Sequence, residues 1–250
     1  MNGGLSLYID KSLISHLKPK SPVSEAYRVL RTNLLFASVD KPLKVIMVTS
    51  SGPSEGKTTI ISNLSITFAQ SGNRVLLIDA DMRKPRVDKV FGLQNKAGLT
   101  NVLALKQDYK KLIHADVVSS MDVLTSGPIP PNPSELLSSN RMKDFVKRIR
   151  EDYDIVFIDA PPAGPVTDAA ILSTIVDGTI LVAASGQVHI DEIKRAKSML
   201  DNVNANILGV VLNKMDGTHG GYYYTYYDED PHTGTKIKKK KKAKSVVDLG

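Results

Sequence analysis

The stretch Val45–Ile60 reads VIMVTSSGPSEGKTTI and combines three local signals that decide the fold. Val45–Thr49 is apolar and rich in β-branched residues, which predicts a buried strand. A loop with two glycines follows. Lys57–Ser71 then predicts a helix, because apolar residues recur at every fourth position from Ile60 to Phe68. A chance glycine turn would lack this strand–loop–helix context, so the stretch predicts a phosphate-binding P-loop.

The loop carries the residue types that a nucleotide phosphate requires. Gly56 lets the backbone approach phosphate oxygens, and successive N–H groups at the helix start supply positive potential. Lys57 would place its ammonium against the β- and γ-phosphates, and the Thr58 hydroxyl would ligate Mg²⁺. Ser51 departs from the standard pattern, which has glycine there, and Pro53 stiffens the loop. The predicted nucleotide-binding residues of the loop are Gly52, Pro53, Ser54, Glu55, Gly56, Lys57, Thr58 and Thr59.

Two further predicted strands end in acidic residues. Asp79 ends the strand Arg74–Asp79, and its i, i+2 spacing to Asp81 puts both side chains on one face. Asp159 ends the strand Ile155–Asp159 in the same way. Parallel strands expose their C-terminal ends at one rim, where ligands of open α/β sheets bind. A single aspartate could be a strand-terminal turn residue, but three in register with a P-loop predict a nucleotide site.

The remaining body alternates short β-rich runs with helical patterns, which is typical of an α/β fold with a parallel sheet flanked by helices. Ser126–Pro133 carries four prolines and predicts a rigid loop. The further predicted strands are Thr179–Ala184 and Ile207–Leu212, and the further predicted helices cover about 23–36, Ser134 to about Arg150, and about 191–200.

Composition narrows the function classes. The formal net charge of +7 is concentrated at the C-terminus, where seven lysines lie between Lys236 and Lys244. A nucleic-acid-binding domain more often carries its charge on a folded surface, so we expect no nucleic-acid partner. The absence of cysteine excludes disulfides and thiolate metal sites. No segment has the roughly 20 apolar residues of a membrane helix, and Met1–Leu17 lacks a signal-peptide core, so we expect a cytoplasmic protein.

The sequence changes character near Asp216, which predicts a P-loop domain over residues 1–216 and a disordered tail over residues 217–250. The tail has no apolar periodicity, and its lysine run could hold it near anionic lipid or only keep it soluble. A cluster of tyrosines beside Asp228–Asp230 is either a set of phosphoacceptors or an idle low-complexity segment. The clustered tyrosines are Tyr222, Tyr223, Tyr224, Tyr226 and Tyr227.

These motifs resemble the P-loop ATPases of the MinD/Mrp kind and, within them, the bacterial tyrosine kinases of capsule and exopolysaccharide synthesis. The resemblance covers nearly the whole chain. MinD-like ATPases usually carry an extra lysine early in the P-loop, where this chain has Gly52, as in the kinase branch. Asp79–Pro85, with the sequence DADMRKP, resembles the second Walker-type motif of those kinases, and Thr125–Pro133 also resembles them. The resemblance implies a MinD-like fold and an ATP-dependent protein-tyrosine kinase.

The resemblance also implies roles for the matching residues. Lys57 would hold the phosphates of ATP, while Thr58, Asp81 and Asp159 would hold Mg²⁺ directly or through water. Asp79 would orient or deprotonate the incoming tyrosine hydroxyl.

Three more positions match the family less specifically. Arg83 and Lys84 could stabilise the transferred charge, or could belong to a solvated loop. Asn213, which follows the last predicted strand, resembles the position that contacts the nucleotide base.

Glu25, Arg28 and Arg31 match a Glu-x-x-Arg-x-x-Arg motif that the family uses for ring-like self-assembly. Their spacing of three places them on one helix face, where they could reach acidic groups of a neighbouring copy. Composition alone would favour a solvated charged face. The family match favours assembly.

The resemblance finally implies partners and a location. The tyrosine cluster would be phosphorylated in trans, and a tyrosine phosphatase would reverse the reaction. Relatives without a membrane segment depend on a separate transmembrane activator, which would bring this chain to the inner face of the cell membrane. The kinase would act on other protein substrates and regulate polysaccharide synthesis and export.

Two other functions fit the P-loop. A MinD/ParA-like switching ATPase would hydrolyse ATP and transfer no phosphate to protein, although Gly52 and the tyrosine cluster argue against it. A non-catalytic module would bind ATP only to organise an export complex. Fold alone does not decide among these functions.

Overall fold

The computed structural model describes residues 10–37 and 42–215, whose strands form one seven-stranded sheet. In chain order the strands are Val45–Ser50 (β1), Val75–Asp79 (β2), His114–Val118 (β3), Met121–Leu124 (β4), Ile155–Asp159 (β5), Gly178–Ala184 (β6) and Ile207–Asn213 (β7). Across the sheet their order is β3-β4-β2-β5-β1-β6-β7. Neighbouring strands are parallel except β3 and β4, which form an antiparallel hairpin.

Helices cover both faces of this sheet. In chain order they are Ile14–Leu17 (α1), Pro22–Ala37 (α2), Lys57–Ala69 (α3), Val87–Phe91 (α4), Leu99–Leu105 (α5), Pro133–Ser138 (α6), Asn140–Asp152 (α7), Asp168–Ser173 (α8) and Ile190–Asp201 (α9). Across the described ranges, the structure contains no helix with the length and hydrophobicity that a bilayer crossing requires.

The central strands are buried on both faces, as their continuous apolar runs predict. Every residue of β1, β2, β5 and β6 is buried. On one face Ile158 shares a core cluster with Phe145 of α7. On the other face Phe157 packs against Phe68 of α3, with ring centroids 5.3 Å apart. The predicted α/β fold with a helix-flanked, mostly parallel sheet is therefore confirmed.

The prediction of one helix from Ser134 to about Arg150 is wrong, because the helix is interrupted at Ser139. This residue is extended, with φ −67° and ψ 154°, and its hydroxyl accepts a hydrogen bond from the Met142 amide at 3.3 Å. Ser139, not Ser134, is therefore the cap of α7. The preceding turn, α6, is a separate short helix that ends at Ser138.

The hairpin of β3 and β4 was not predicted. β3 reads HADVV and most of its residues are exposed or half-buried, so it lacks an apolar run. Asp116 and Ser120 also adopt positive φ of 49° and 65°, which the sequence does not signal. Edge strands of this kind depend on pairing with a neighbour rather than on local pattern.

Candidate nucleotide and phosphoryl-transfer site

The site lies at the rim formed by the carboxyl ends of β2, β5 and β1. Asp79 and Asp159 are register partners at the ends of β2 and β5, and Val48 of β1 pairs with Asp159 from the other side. The loop after β1 therefore starts beside both acidic strand ends. This placement follows from three parallel strands of matched length.

The P-loop depends on two residues with positive φ. Gly56 has φ 95°, and a Cβ built there would lie 2.1 Å from Nδ2 of Asn213. Glycine is therefore required at position 56 by both backbone conformation and close approach. Ser54 has φ 63°, an uncommon conformation for a residue with a side chain.

Glu55 holds the P-loop in place. Its carboxylate accepts hydrogen bonds from the Ser51 hydroxyl at 2.7 Å, from the Gly52 amide, and from the Ala184 amide of β6 at 3.2 Å. The residue is only 2% exposed. Sequence reasoning placed Glu55 among the nucleotide-contacting residues, whereas its side chain binds the loop itself and joins it to β6.

The end of β7 supports the loop from the other side. Asn213 donates from Nδ2 to the Glu55 carbonyl at 2.9 Å, and Lys214 donates from Nζ to the Ser54 carbonyl at 2.8 Å. Lys214 also contacts Gln187 at 2.8 Å. The role of Lys214 was not predicted, because only the three-dimensional pairing of β6 with β7 brings it to the loop.

Lys57 lies between two carboxylates. Its Nζ is 3.0 Å from Asp81 Oδ2 and 3.3 Å from Asp159 Oδ1, and the Thr58 hydroxyl donates to Asp159 Oδ2 at 2.6 Å. Burial by itself would lower the pKa of Lys57, but the Asp159 and Asp81 carboxylates outweigh it and raise that pKa. The lysine therefore stays charged, as phosphate binding requires.

Asp79 is fully buried and organises the loop that follows β2. One oxygen accepts the Arg86 and Val87 amides, both at 3.0 Å, and the other accepts the Asp81 amide at 3.1 Å. Burial first, and the nearby Asp159 charge second, raise the pKa of Asp79 to about 8 against the opposing effect of these amides. Burial also raises the pKa of Asp159. At neutral pH this carboxylate pair therefore tends to retain a proton.

The donor set fits Mg²⁺ only as a partial shell. Among the described residues, no three carboxylate, imidazole or thiolate groups are arranged to hold a metal ion by themselves. Thr58, Asp81 and Asp159 supply hard oxygen atoms close together, which Mg²⁺ prefers. Water and nucleotide phosphates would have to complete such a shell, as is usual for Mg²⁺.

Arg83 is tied to a buried carboxylate beside the rim. Its guanidinium donates to both oxygens of Asp168, from Nε at 2.8 Å and from one Nη at 3.0 Å. The Ser134 hydroxyl donates to the same carboxylate at 2.7 Å. Asp168 is inaccessible to solvent and was not predicted, because its chemistry depends on a partner 85 positions earlier. Arg83 thus joins the loop after β2 to α6 and α8.

The predicted assembly motif lies on α2, where its members have different environments. Arg28 pairs with Glu25 of the same helix at 2.6 Å, and both side chains are partly exposed. Arg31 instead donates to the Thr67 carbonyl of α3 at 2.6 Å. The motif therefore does not form one uniform exposed face.

The predicted phosphoacceptors lie outside the described residues. These are Tyr222, Tyr223, Tyr224, Tyr226 and Tyr227.

Comparison with known proteins assigns the family. A ParA family profile, whose description is NUBPL iron-transfer P-loop NTPase, matches residues 42–243. Tyrosine-protein kinase YwqD from Bacillus subtilis is 45% identical over 86% of this chain and 92% of the relative. The crystal structure of the chimerical protein CapA2B2 superposes with a TM-score of 0.79 and 40% identity, covering 84% of this chain and 96% of the other.

A second solved structure agrees with this assignment. The kinase domain of Escherichia coli tyrosine kinase ETK has a TM-score of 0.77 and 35% identity, covering 82% of each chain. The P-loop, the paired acidic strand ends and these similarities together place the chain in the family of bacterial tyrosine kinases, within the ParA-like P-loop NTPases.

Proposed function

We propose that this chain is an ATP-dependent protein-tyrosine kinase that phosphorylates its own C-terminal tyrosine cluster in trans and regulates capsular or exopolysaccharide synthesis and export. The observation that carries the proposal is the contact of Lys57 with Asp81 and Asp159 beside a P-loop, in a chain whose relatives are tyrosine kinases. In this arrangement the Lys57 ammonium is available to the phosphates of ATP, and carboxylates lie near the tyrosine that accepts the phosphoryl group.

The reaction forms a bond between the tyrosine oxygen and the γ-phosphorus and breaks the bond from that phosphorus to the β–γ bridging oxygen. The Lys57 ammonium and the P-loop amides neutralise charge on the phosphates. Mg²⁺ held by Thr58, Asp81 and Asp159 would add positive charge at the same phosphates. ADP leaves as the bond to its terminal oxygen breaks.

Asp79 receives the tyrosine proton in this scheme. A carboxylate offers about four acceptor positions, and three of those on Asp79 are taken by backbone amides. One acceptor position therefore remains, and because Asp79 is fully buried, the loop after β2 would have to shift for the phenol to reach it. Because the pKa of Asp79 is raised to about 8, we expect transfer to become faster as the pH rises through 8 and this carboxyl group loses its own proton.

Self-assembly through α2 would present the tail of one copy to the site of another. Glu25 and Arg28 are partly exposed, and Val23, Val29 and Phe36 are exposed on the same helix by 50%, 48% and 73%. Exposed apolar side chains rimmed by charges are typical of interaction surfaces. A head-to-tail contact through such a surface closes into a ring when the rotation permits.

Regulation completes the proposal. A separate transmembrane activator would recruit the kinase to the inner face of the cell membrane, and a tyrosine phosphatase would reset the tail. Other proteins of polysaccharide synthesis would be further substrates. These partners are supported by membership in the kinase family.

Intact mass after incubation with Mg·ATP tests the function. The wild type is compared with Lys57→Met, with and without the cytoplasmic segment of a candidate activator, and thermal melting verifies that both chains fold. We expect phosphate on Tyr222–Tyr227 of the wild type only. Consumption of ATP without any gain in mass would instead support the switching ATPase, which the kinase names of the relatives disfavour.

A further inference from the structure

A group of exposed cations lies on the loop that follows β2. We use the name basic rim loop for residues 83–89, the loop together with the start of α4, which contain Arg83, Lys84, Arg86 and Lys89 against a single acidic residue, Asp88. All four cations are exposed. Arg83 is paired with Asp168, but within residues 10–37 and 42–215 the side chains of the other three make no ion pair or hydrogen bond. The loop therefore presents uncompensated positive charge to solvent.

The backbone of this loop is bound to the acidic strand ends. The Lys84 amide donates to Asp81 Oδ1 at 3.0 Å, and the Arg86 amide donates to Asp79 Oδ2 at 3.0 Å. The main chain of Lys84 and of Arg86 is therefore hydrogen-bonded directly to the carboxylates at the centre of the site. These hydrogen bonds fix the backbone from which the two cationic side chains extend.

The basic rim loop lies on the side of the acidic strand ends that is away from the P-loop. The P-loop follows β1, whereas the basic rim loop follows β2, and β5 separates the two strands. Neighbouring strands are about 4.8 Å apart, so the two loops begin roughly 10 Å from each other. Lys57 already supplies the cation for the phosphates. The additional charge of the basic rim loop is thus available to the molecule that brings the hydroxyl group.

We propose that the basic rim loop selects tyrosines flanked by acidic residues, with Lys84 and Arg86 binding the flanking carboxylates. This inference rests on the proposed kinase function and specifies the substrate class of the same site. An extended peptide advances about 3.3 Å per residue, so carboxylates one to four positions from the tyrosine lie within reach of a long cationic side chain. The tyrosine cluster of this chain is itself followed by Asp228, Glu229 and Asp230.

Two synthetic peptides test the selection at low ionic strength, where exposed charge pairs are least screened. One is YYYTYYDED and the other YYYTYYNQN. The readout is the ratio of kcat/KM for the acidic peptide to that for the neutral peptide. Two exposed charge contacts predict a ratio of about five for the wild type. The ratio should fall below one in Lys84→Glu/Arg86→Glu, because the two introduced carboxylates repel the acidic peptide.

A matched variant controls for overall charge. Lys143→Glu/Lys147→Glu makes the same charge change at two exposed lysines of α7 that have no ion pair within the described part of the chain, and it should keep the wild-type ratio. A third peptide, YYYTYYKKK, should be the preferred acceptor of Lys84→Glu/Arg86→Glu, because the reversed charges then attract it.

The outcomes separate two kinds of failure. Equal kcat/KM for all three peptides in the wild type, or equal losses on acidic and neutral peptides in Lys84→Glu/Arg86→Glu, would overturn the selection while leaving the kinase assignment intact. So would transfer to the chain's own tail without transfer to the acidic peptide. Absence of phosphate from every peptide and from the tail would overturn the proposed function itself.

Discussion

At the scale of single residues, Asn213 connects the end of the sheet to the phosphate loop. The family resemblance implies that it contacts the nucleotide base, but in the structure its Nδ2 binds the Glu55 carbonyl and lies against Gly56. Loss of this side chain would leave the Glu55 carbonyl without its partner and loosen the glycine turn. We therefore predict that Asn213 acts on the phosphates through the loop.

Asn213→Ala should weaken binding of both ADP and inorganic pyrophosphate. Removal of one hydrogen bond to the loop is expected to reduce each affinity about threefold to tenfold. Isothermal titration calorimetry with the two ligands measures this directly. Because pyrophosphate has no base, a loss confined to ADP would show that Asn213 acts by contacting the base instead.

At the scale of elements, the contact between Arg83 and Asp168 joins three segments that are distant in sequence. The loop after β2, the start of α6 and the start of α8 meet at one buried carboxylate, which accepts from Arg83 and Ser134. A buried ionised group without its partners is costly. The geometry of the basic rim loop thus depends on two helices that contribute no atom to the phosphate site.

Asp168→Asn should lower the free energy of unfolding by about 1–3 kcal/mol, because the bidentate contact with Arg83 is lost. Chemical denaturation measures the change. Asp154→Asn is the control, since it weakens the exposed pair with Arg74 at the amino-terminal ends of β2 and β5. Exposed pairs contribute about 0–1 kcal/mol, so equal effects of the two substitutions would contradict a structural role for Asp168.

The two arginines of α2 should behave differently. Arg31 joins α2 to α3 by donating to the Thr67 carbonyl, so Arg31→Ala should lower the melting temperature by a few degrees. Arg28 is partly exposed and, among the described residues, its side chain pairs only with Glu25 and the Pro19 carbonyl, so Arg28→Glu should leave the melting temperature nearly unchanged and reduce assembly.

Thermal melting and sedimentation velocity distinguish these effects. A lower melting temperature for Arg28→Glu, or unchanged sedimentation of that variant under conditions where the wild type assembles, would argue against assembly through this face of α2.

At the scale of the whole molecule, sequence patterns identify the strands whose carboxyl ends form the rim of the site. The apolar runs of β1, β2 and β5 and the glycine turn before Lys57 are local signals, so the strands and the P-loop are predictable. Asp168 and Lys214 are not, because each acquires its partner only when distant segments pack. The break at Ser139 was missed because α6 and α7 together read as one amphipathic pattern.

Transfer between copies is the central claim, and a mixing experiment tests it most directly. One chain carries Lys57→Met and all five tail tyrosines, and the other is active but has phenylalanine at Tyr222, Tyr223, Tyr224, Tyr226 and Tyr227. We predict that the Lys57→Met chain gains phosphate on its tail only when the active chain and Mg·ATP are both present. If the mixture transfers no phosphate while the wild type phosphorylates its own tail, the reaction occurs within one chain and the account is contradicted.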